Sequence, residues 1–303
     1  MELLIYLILF LLVLIVSSTT NKLLPFLPLP LVQILLGIVI GLFLPNTDFH
    51  LNTELFLALV IGPLLFRESE EADITAILKH WRIIVYLIFP VIFISTLSLG
   101  GLAHLLWFSL PLAACLAVGA ALGPTDLVAF ASLSERFSFP KRVSNILKGE
   151  GLLNDASGLV AFQVALTAWT TGAFSLGQAS SSLIFSILGG FLIGFLTAMT
   201  NRFLHSFLLS VRATDIASEL LLELSLPLVT FFLAEEVHVS GIIAVVVAGI
   251  LKASRFKKIT LLEAQVDTVT ETVWHTVNFM LNGSVFVILG MELEMIAEPI
   301  LTN

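Results

Sequence analysis

The chain has 303 residues, of which 58% are hydrophobic and only 12% charged, and its mean hydropathy is +1.05. Soluble domains carry about 25% charged residues, so this composition excludes an ordinary soluble protein and indicates an integral membrane protein. The net charge is −8 and the 14 basic residues form no continuous patch, which argues against a nucleic-acid partner. The N-terminal run MELLIYLILFLLVLIV lacks the basic region of a secretory signal and predicts a retained first span.

Ten apolar runs predict helices that cross roughly 30 Å of hydrocarbon. They lie at 2–18, 29–45, 54–66, 83–104, 109–133, 149–171, 180–201, 216–234, 239–251 and 274–292. The third run is the weakest of these predictions, because its uninterrupted apolar stretch, Leu55 to Phe66, is shorter than the about twenty residues that a span usually needs. It is nevertheless retained, because with ten spans all 14 Lys and Arg residues fall in odd-numbered loops. The positive-inside rule then places those loops in the cytoplasm and both termini outside.

Two charged segments near the predicted cytoplasmic side receive a simpler interpretation. The segment 67–82 is predicted to lie at the membrane interface or in a cytoplasmic loop, since a run of charges is usually solvated. Glu219 and Glu223 lie one turn apart near the cytoplasmic end of span 8. They are predicted to be surface charges that snorkel to water or that line a cytoplasmic funnel.

The fifth span contains the motif AALGPTDLVAF. Pro124 lacks an amide hydrogen and clashes with the carbonyl four residues earlier, which predicts an interrupted helix around Gly123 and Pro124. Thr125 and Asp126 would then begin a second half-helix and cap it with their side-chain oxygens. Discontinuous helices of this kind mark ion sites in secondary transporters.

The sixth span contains the motif EGLLNDASGLVAF. Counted from the loop between spans 5 and 6, Asp126 and Asp155 both lie roughly 10 Å from the inner membrane edge, so their side chains can meet. Low dielectric favours the protonated acid and a dehydrated cation favours the carboxylate, so one Asp can hold either. Hard oxygen ligands from Thr125, Asp126, Asn154 and Asp155 suit small alkali ions.

At these motifs the chain resembles the Na+/H+ exchanger family, in the branch whose ion-site pair reads Asn-Asp. GPTDLVAF is similar to the family's Thr-Asp broken helix, and GEGLLNDASGLVAF is similar to its Glu-x-Leu-x-Asn-Asp helix. Three further stretches are similar to other family segments: LLFRESEEADITAILKHWR, LAEEVHVSGIIAVVVAGI and FVILGMEL. The resemblance therefore covers nearly the whole chain.

The resemblance implies roles for five residues. Asp155 would bind Na+ and H+ alternately, and Asn154 would support the geometry of the site. Thr125 and Asp126 would contribute from the broken helix, and Glu150 would help to coordinate the ion or organise the site. The Asn-Asp pair is associated with electroneutral exchange. Two departures are Gly151, where many relatives have Ser, and Leu127, where the family often has Pro.

The resemblance also implies the architecture. The fold would be an all-α polytopic membrane protein with the inverted-repeat antiporter plan, a broken helix in span 5 and ten of thirteen expected spans. Residues 1–78 would form scaffold spans 1–3, residues 79–171 the ion-transporting core, and residues 172–303 scaffold spans 7–10. The protein would be a homodimer in the plasma membrane. Because the second half of the core is expected after residue 303, a truncated, non-transporting antiporter fragment is the alternative.

The predicted function is secondary active exchange of Na+, Li+ or K+ for H+ by alternate access, with no resident cofactor. The transported ions and the lipid bilayer are then the partners. Two intramembrane Asp residues could instead form an aspartyl-protease dyad. Such proteases are usually recognised by a Gly-x-Gly-Asp signature, whereas Asp126 follows Gly-Pro-Thr and Asp155 follows Asn. Because this signature is absent, the chain is not predicted to be an enzyme. A passive channel is a further, weaker alternative.

Overall fold

The computed structural model describes residues 2–24, 26–43, 52–72, 74–124, 139–171, 176–211, 215–253 and 261–301. Regular structure in these ranges is entirely helical. The helices are α1 (Glu2–Leu23), α2 (Leu29–Phe43), α3 (Thr53–Phe56), a π-helical turn (Leu57–Ile61), α4 (Gly62–Glu71), α5 (Ile74–Leu106), α6 (Leu112–Leu122), α7 (Lys141–Thr171), α8 (Leu176–Ser210), α9 (Ile216–Glu236), α10 (Gly241–Ala253) and α11 (Leu261–Leu301). Each of the ten predicted apolar runs overlaps one or more of these helical segments.

Three of the described helical stretches are long and apolar enough to cross a membrane, namely 185–210, 216–236 and 268–293. Six shorter apolar helices of 10–17 residues accompany them, at 8–23, 29–42, 90–106, 112–122, 160–170 and 241–253. The number of spans and their orientation therefore stay predictions, while the helical, strongly apolar character of the chain is established.

The chain forms two compact units, of which the first comprises Met1–Leu64 and Ile259–Asn303. In this unit α2 packs along α11, and α1 contacts both helices. A Cβ on Gly37 would overlap the carbonyl oxygen of Val287, and a Cβ on Gly290 would overlap that of Ile34. The missing side chains let the two backbones touch, as small residues do between membrane helices.

The predicted third span has continuous helical backbone from Thr53 to Glu71, with the π-helical turn in its middle. Asn52 begins it, because the Asn52 side chain accepts hydrogen bonds from the backbone N–H groups of Glu54 and Leu55. The segment 67–82, predicted as an interfacial or cytoplasmic loop, is helical up to Glu71 and again from Ile74. Three of its charged side chains, those of Arg67, Glu70 and Glu71, have ionic partners, described below.

The second unit, Leu65–Lys258, contains two groups of three mutually packed helices. One group is α5, α6 and α7, and the other is α8, α9 and α10. Helix α10 is apolar around most of its circumference and is the most enclosed of its group, as its buried residues Ile242, Ala244 and Val245 indicate. The first group carries the predicted ion-site motifs.

Asp215 begins helix α9 as its N-cap. The Asp215 side chain accepts a hydrogen bond of 2.7 Å from the backbone N–H of Ser218 and a second one from the Ser218 hydroxyl, whose oxygen accepts a hydrogen bond from the backbone N–H of Asp215. These bonds, first that from the hydroxyl and then that from the backbone, lower the pKa of Asp215 below its ordinary value. The start of α9 is therefore held by an ionised cap at neutral pH.

Candidate ion-binding site

Helix α6 ends at Leu122, directly before Gly123 and Pro124. Helix α5 packs closely along this end. A Cβ on Gly119 would lie 2.7 Å from the backbone nitrogen of Gly100, and a Cβ on Gly123 would lie 2.7 Å from Ser95 Oγ. The rest of the predicted span, including Thr125 and Asp126, lies outside the described residues, so the broken helix stays a prediction.

Helix α7 turns one buried polar face inward. Glu150 is 7% exposed and Asn154 is 0% exposed, and Gly151 and Gly158 are buried on the same side. The spacing of four residues from Glu150 to Asn154 to Gly158 places them along one face of the helix. The backbone of Asp155 belongs to this stretch of α7, but its side chain lies outside the described part of the structure.

The ring of Pro124 lies directly on this face of α7. A Cβ on Gly158 would overlap Cγ of the proline, so the absence of a side chain at Gly158 creates the space that the ring occupies. This contact is one helical turn beyond Asn154. The end of α6 and the Asn154 turn of α7 are therefore neighbours, and the sequence continues from Pro124 into Thr125 and Asp126.

Ionisable residues are rare within membrane helices, and they mark function more often than packing. A neutral carboxyl or amide group costs about 2–7 kcal/mol to bury unless it is hydrogen-bonded, so buried polar residues need partners. No cluster of three or more His, Cys, Asp or Glu side chains suited to a metal ion occurs among the side chains that the structure describes. The side chains of Asp126 and Asp155 are not among those, and the five-residue ligand set stays a prediction.

A second set of charged residues joins α4, α9 and α10, and we call it the charged network. Lys252 Nζ lies 2.7 Å from Glu223 Oε2 and 3.4 Å from Glu70 Oε1. Arg67 lies 2.9 Å from Glu70 and 2.7 Å from Glu71. The Lys252 side chain is only 9% exposed.

The structure differs from the sequence prediction for Glu219 and Glu223. Their side chains are only 11% and 14% exposed, and each has a cationic or titratable partner on another helix. Glu223 pairs with Lys252, and Glu219 contacts His205 of α8. The one-turn spacing of the two acids was visible in the sequence. Their partners were not, because they come from helices that only the tertiary fold brings alongside.

The apolar helices and the buried polar face of α7 define a polytopic α-helical membrane protein with ionisable groups held among its helices. Comparison with known proteins gives the family. Residues 7–302 match the model of the transmembrane sodium/hydrogen exchanger. The chain belongs to the sodium/hydrogen exchanger family.

Two curated relatives illustrate this membership. The chain is 37% identical over 288 residues to a sodium, potassium, lithium and rubidium/H(+) antiporter of Bacillus subtilis. The aligned region covers 95% of the chain and 43% of the relative. The chain is also 32% identical over 306 residues to the uncharacterized Na(+)/H(+) exchanger YjcE of Escherichia coli, covering 98% of the chain and 54% of the relative. The chain thus spans about half the length of these relatives.

A solved structure shares the fold. The sodium proton antiporter MjNhaP1 from Methanocaldococcus jannaschii superposes with a TM-score of 0.73 at 21% identity, over 96% of this chain and 71% of that one. The predicted all-α antiporter fold is therefore confirmed. Its branch within the family, the span count and the broken helix stay predictions.

Proposed function

We propose that the chain exchanges Na+, or another alkali cation, for H+ across the membrane by alternate access of a site centred on Asp155. The observation that carries the proposal is the contact of Pro124 with Gly158 beside the buried Glu150 and Asn154. This contact brings together the two motifs that would supply the oxygen ligands of a cation. The family membership supports alkali ions as substrates, and so do the cations named for the Bacillus subtilis antiporter, which are sodium, potassium, lithium and rubidium.

The chemistry needs only one titrating carboxyl. Asp155 releases its proton when a dehydrated cation binds, and takes up a proton when the cation leaves, because the two ligands compete for the same negative charge. Thr125, Asp126 and Asn154 supply neutral or hard oxygen ligands, and Glu150 organises the site. Proton and alkali cation each carry one positive charge. With Asn154 in place of a second acid, one cycle moves no net charge.

The setting of this exchange is part of the same proposal. The protein acts as a homodimer in the plasma membrane, with its N-terminus outside. All 14 Lys and Arg residues in odd loops support this orientation. Residues 79–171 move as the transporting core against the flanking scaffold segments. The aspartyl-protease and channel alternatives have no support in the family match.

The test uses the purified chain in proteoliposomes with an acidic lumen. We expect saturable 22Na+ uptake coupled to proton efflux, with a rate that clamping the membrane potential leaves unchanged. Asp155→Asn should reduce the flux to background, because an amide cannot exchange a proton. Glu236→Gln is the control. Glu236 is an exposed residue at the C-terminal end of α9, so this variant should transport normally.

Three results would contradict parts of this proposal. Flux that persists in Asp155→Asn removes Asp155 from the site, and flux that does not saturate indicates a channel. A rate that follows the membrane potential excludes electroneutral exchange. If the wild type shows no flux, thermal stabilisation by Na+ that is lost in Asp155→Asn identifies a binding-competent, non-transporting chain.

A further inference from the structure

The contact between His205 of α8 and Glu219 of α9 lies outside the cation site. His205 Nδ1 is 2.8 Å from Glu219 Oε1 and 2.6 Å from Oε2. The side chains are only 17% and 11% exposed. At these distances Nδ1 carries a hydrogen and donates it to the carboxylate, and a second proton on Nε2 converts the hydrogen bond into an ion pair.

Along α8, this contact follows two other hydrogen bonds to α9 that the structure describes. The Thr230 hydroxyl donates to Thr197 Oγ1 at 3.0 Å, and Asn201 Nδ2 donates to the carbonyl of Leu222 at 3.3 Å. Thr197, Asn201 and His205 follow one another at intervals of four residues, so they lie along one face of α8. The first two contacts contain only hydroxyl, amide and carbonyl groups, whereas the third joins an imidazole to a carboxyl group.

The other charged groups near His205 are exposed or already engaged with other residues, so a positive charge on His205 acts mainly on Glu219. On α8, Arg202 is exposed, and on α9, Asp215 is engaged as the N-cap. Glu223 is paired with Lys252 of α10, which also contacts Glu70. Glu219 itself lies in the first turn of α9, where the helix dipole favours a carboxylate. A proton on the imidazole is therefore placed directly against the carboxyl group of Glu219.

We propose that His205 and Glu219 form a proton-binding site, separate from the cation site, whose occupancy sets how tightly the end of α8 is joined to the start of α9. Proton uptake creates the ion pair and fastens the two ends. Proton release as the pH rises leaves a weaker hydrogen bond beside a partly buried carboxylate, and the two ends loosen. With the topology predicted from the loops, the site responds to cytoplasmic pH. The proposal does not depend on cation exchange by the chain.

Hydrogen–deuterium exchange of the full chain in lipid nanodiscs tests this directly. Protection is compared at about pH 6 and about pH 8, on either side of the range in which imidazoles ordinarily titrate, after correction for the intrinsic exchange rate. We expect peptides spanning 199–210 and 216–223 to be about fivefold better protected at the lower pH, the effect of one partly exposed ion pair. Equal protection at both pH values in the wild type would overturn the proposal.

Two substitutions at the same position separate charge from packing. His205→Gln keeps a hydrogen-bond donor without a charge, so protection should be low and independent of pH. His205→Arg carries a permanent charge in a planar donor group, so protection should be high and independent of pH. His275→Gln, at an exposed histidine of α11, is the control and should retain the wild-type pH response. A pH response that survives in either His205 variant would also overturn the proposal, and His205→Arg keeps the test valid if His205→Gln fails to fold.

Discussion

Gly158 of α7 receives the ring of Pro124, the residue that follows the end of α6, in the space where any other residue would place its Cβ. The contact unites the two sequence motifs that resemble the family's ion site. Its dependence on a single hydrogen atom in place of a methyl group makes it open to a sharp test.

Gly158→Ala should destabilise the protein by about 1–3 kcal/mol, because the new methyl overlaps a rigid ring that cannot change rotamer. The thermal unfolding midpoint in detergent measures this change. Gly101→Ala on α5 is the matched control, since nothing lies within 4 Å of its added Cβ. That variant should gain roughly 0.5–1 kcal/mol from helix propensity. Equal effects of the two substitutions would contradict the close contact.

Gly37→Ala and Gly290→Ala should each destabilise the first unit by about 1–3 kcal/mol, because each methyl meets a backbone carbonyl of the facing helix. The two changes should not be additive. Once the first methyl has pushed α2 from α11, the second meets less resistance. A double variant measured beside both single variants by thermal unfolding checks the coupling, and strict additivity would mean that the two sites do not face each other.

Lys252→Met should cost about 2 kcal/mol, because it leaves the partly buried carboxylates of Glu223 and Glu70 without their shared cation. Adding Glu223→Gln to Lys252→Met should recover part of that loss, since it removes one of the uncompensated charges. Denaturation of the single and double variants gives the comparison. A double variant less stable than Lys252→Met would show that the pair does not act as a charge pair.

The lowered pKa of Asp215 predicts a pH dependence of the start of α9. A depressed acid contributes stability above its ordinary value near 3.8, and that contribution is lost as the pH falls through the lower folded-state value. Asp215→Asn keeps an equally good cap that does not titrate. After correction for the intrinsic exchange rate, the Ser218 amide should therefore lose protection in acid in the wild type but not in Asp215→Asn. Parallel behaviour of the two proteins would exclude the ionised cap.

Hydropathy located the helices because a membrane-spanning helix requires a long apolar run, and such a run is visible in the local sequence. The ten apolar runs all overlap helices, and the run at 54–66 proved to be part of helical backbone from Thr53 to Glu71. The segment 67–82 was interpreted less well. Its charges indicated a solvated loop, yet Arg67 and Glu70 are mostly enclosed and paired. The sequence of a charged run does not show whether the fold places opposite charges from another helix beside it.

The sequence by itself determined the membrane class, the family and the two motifs of the site, since these depend on residue type and short spacing. Only the tertiary structure decided which residues meet across helices: Pro124 with Gly158, Glu223 with Lys252, and Glu219 with His205. Such pairings depend on the distance and the rotation between packed helices. Small residues set both by letting the helix backbones approach closely, and no local sequence pattern specifies them.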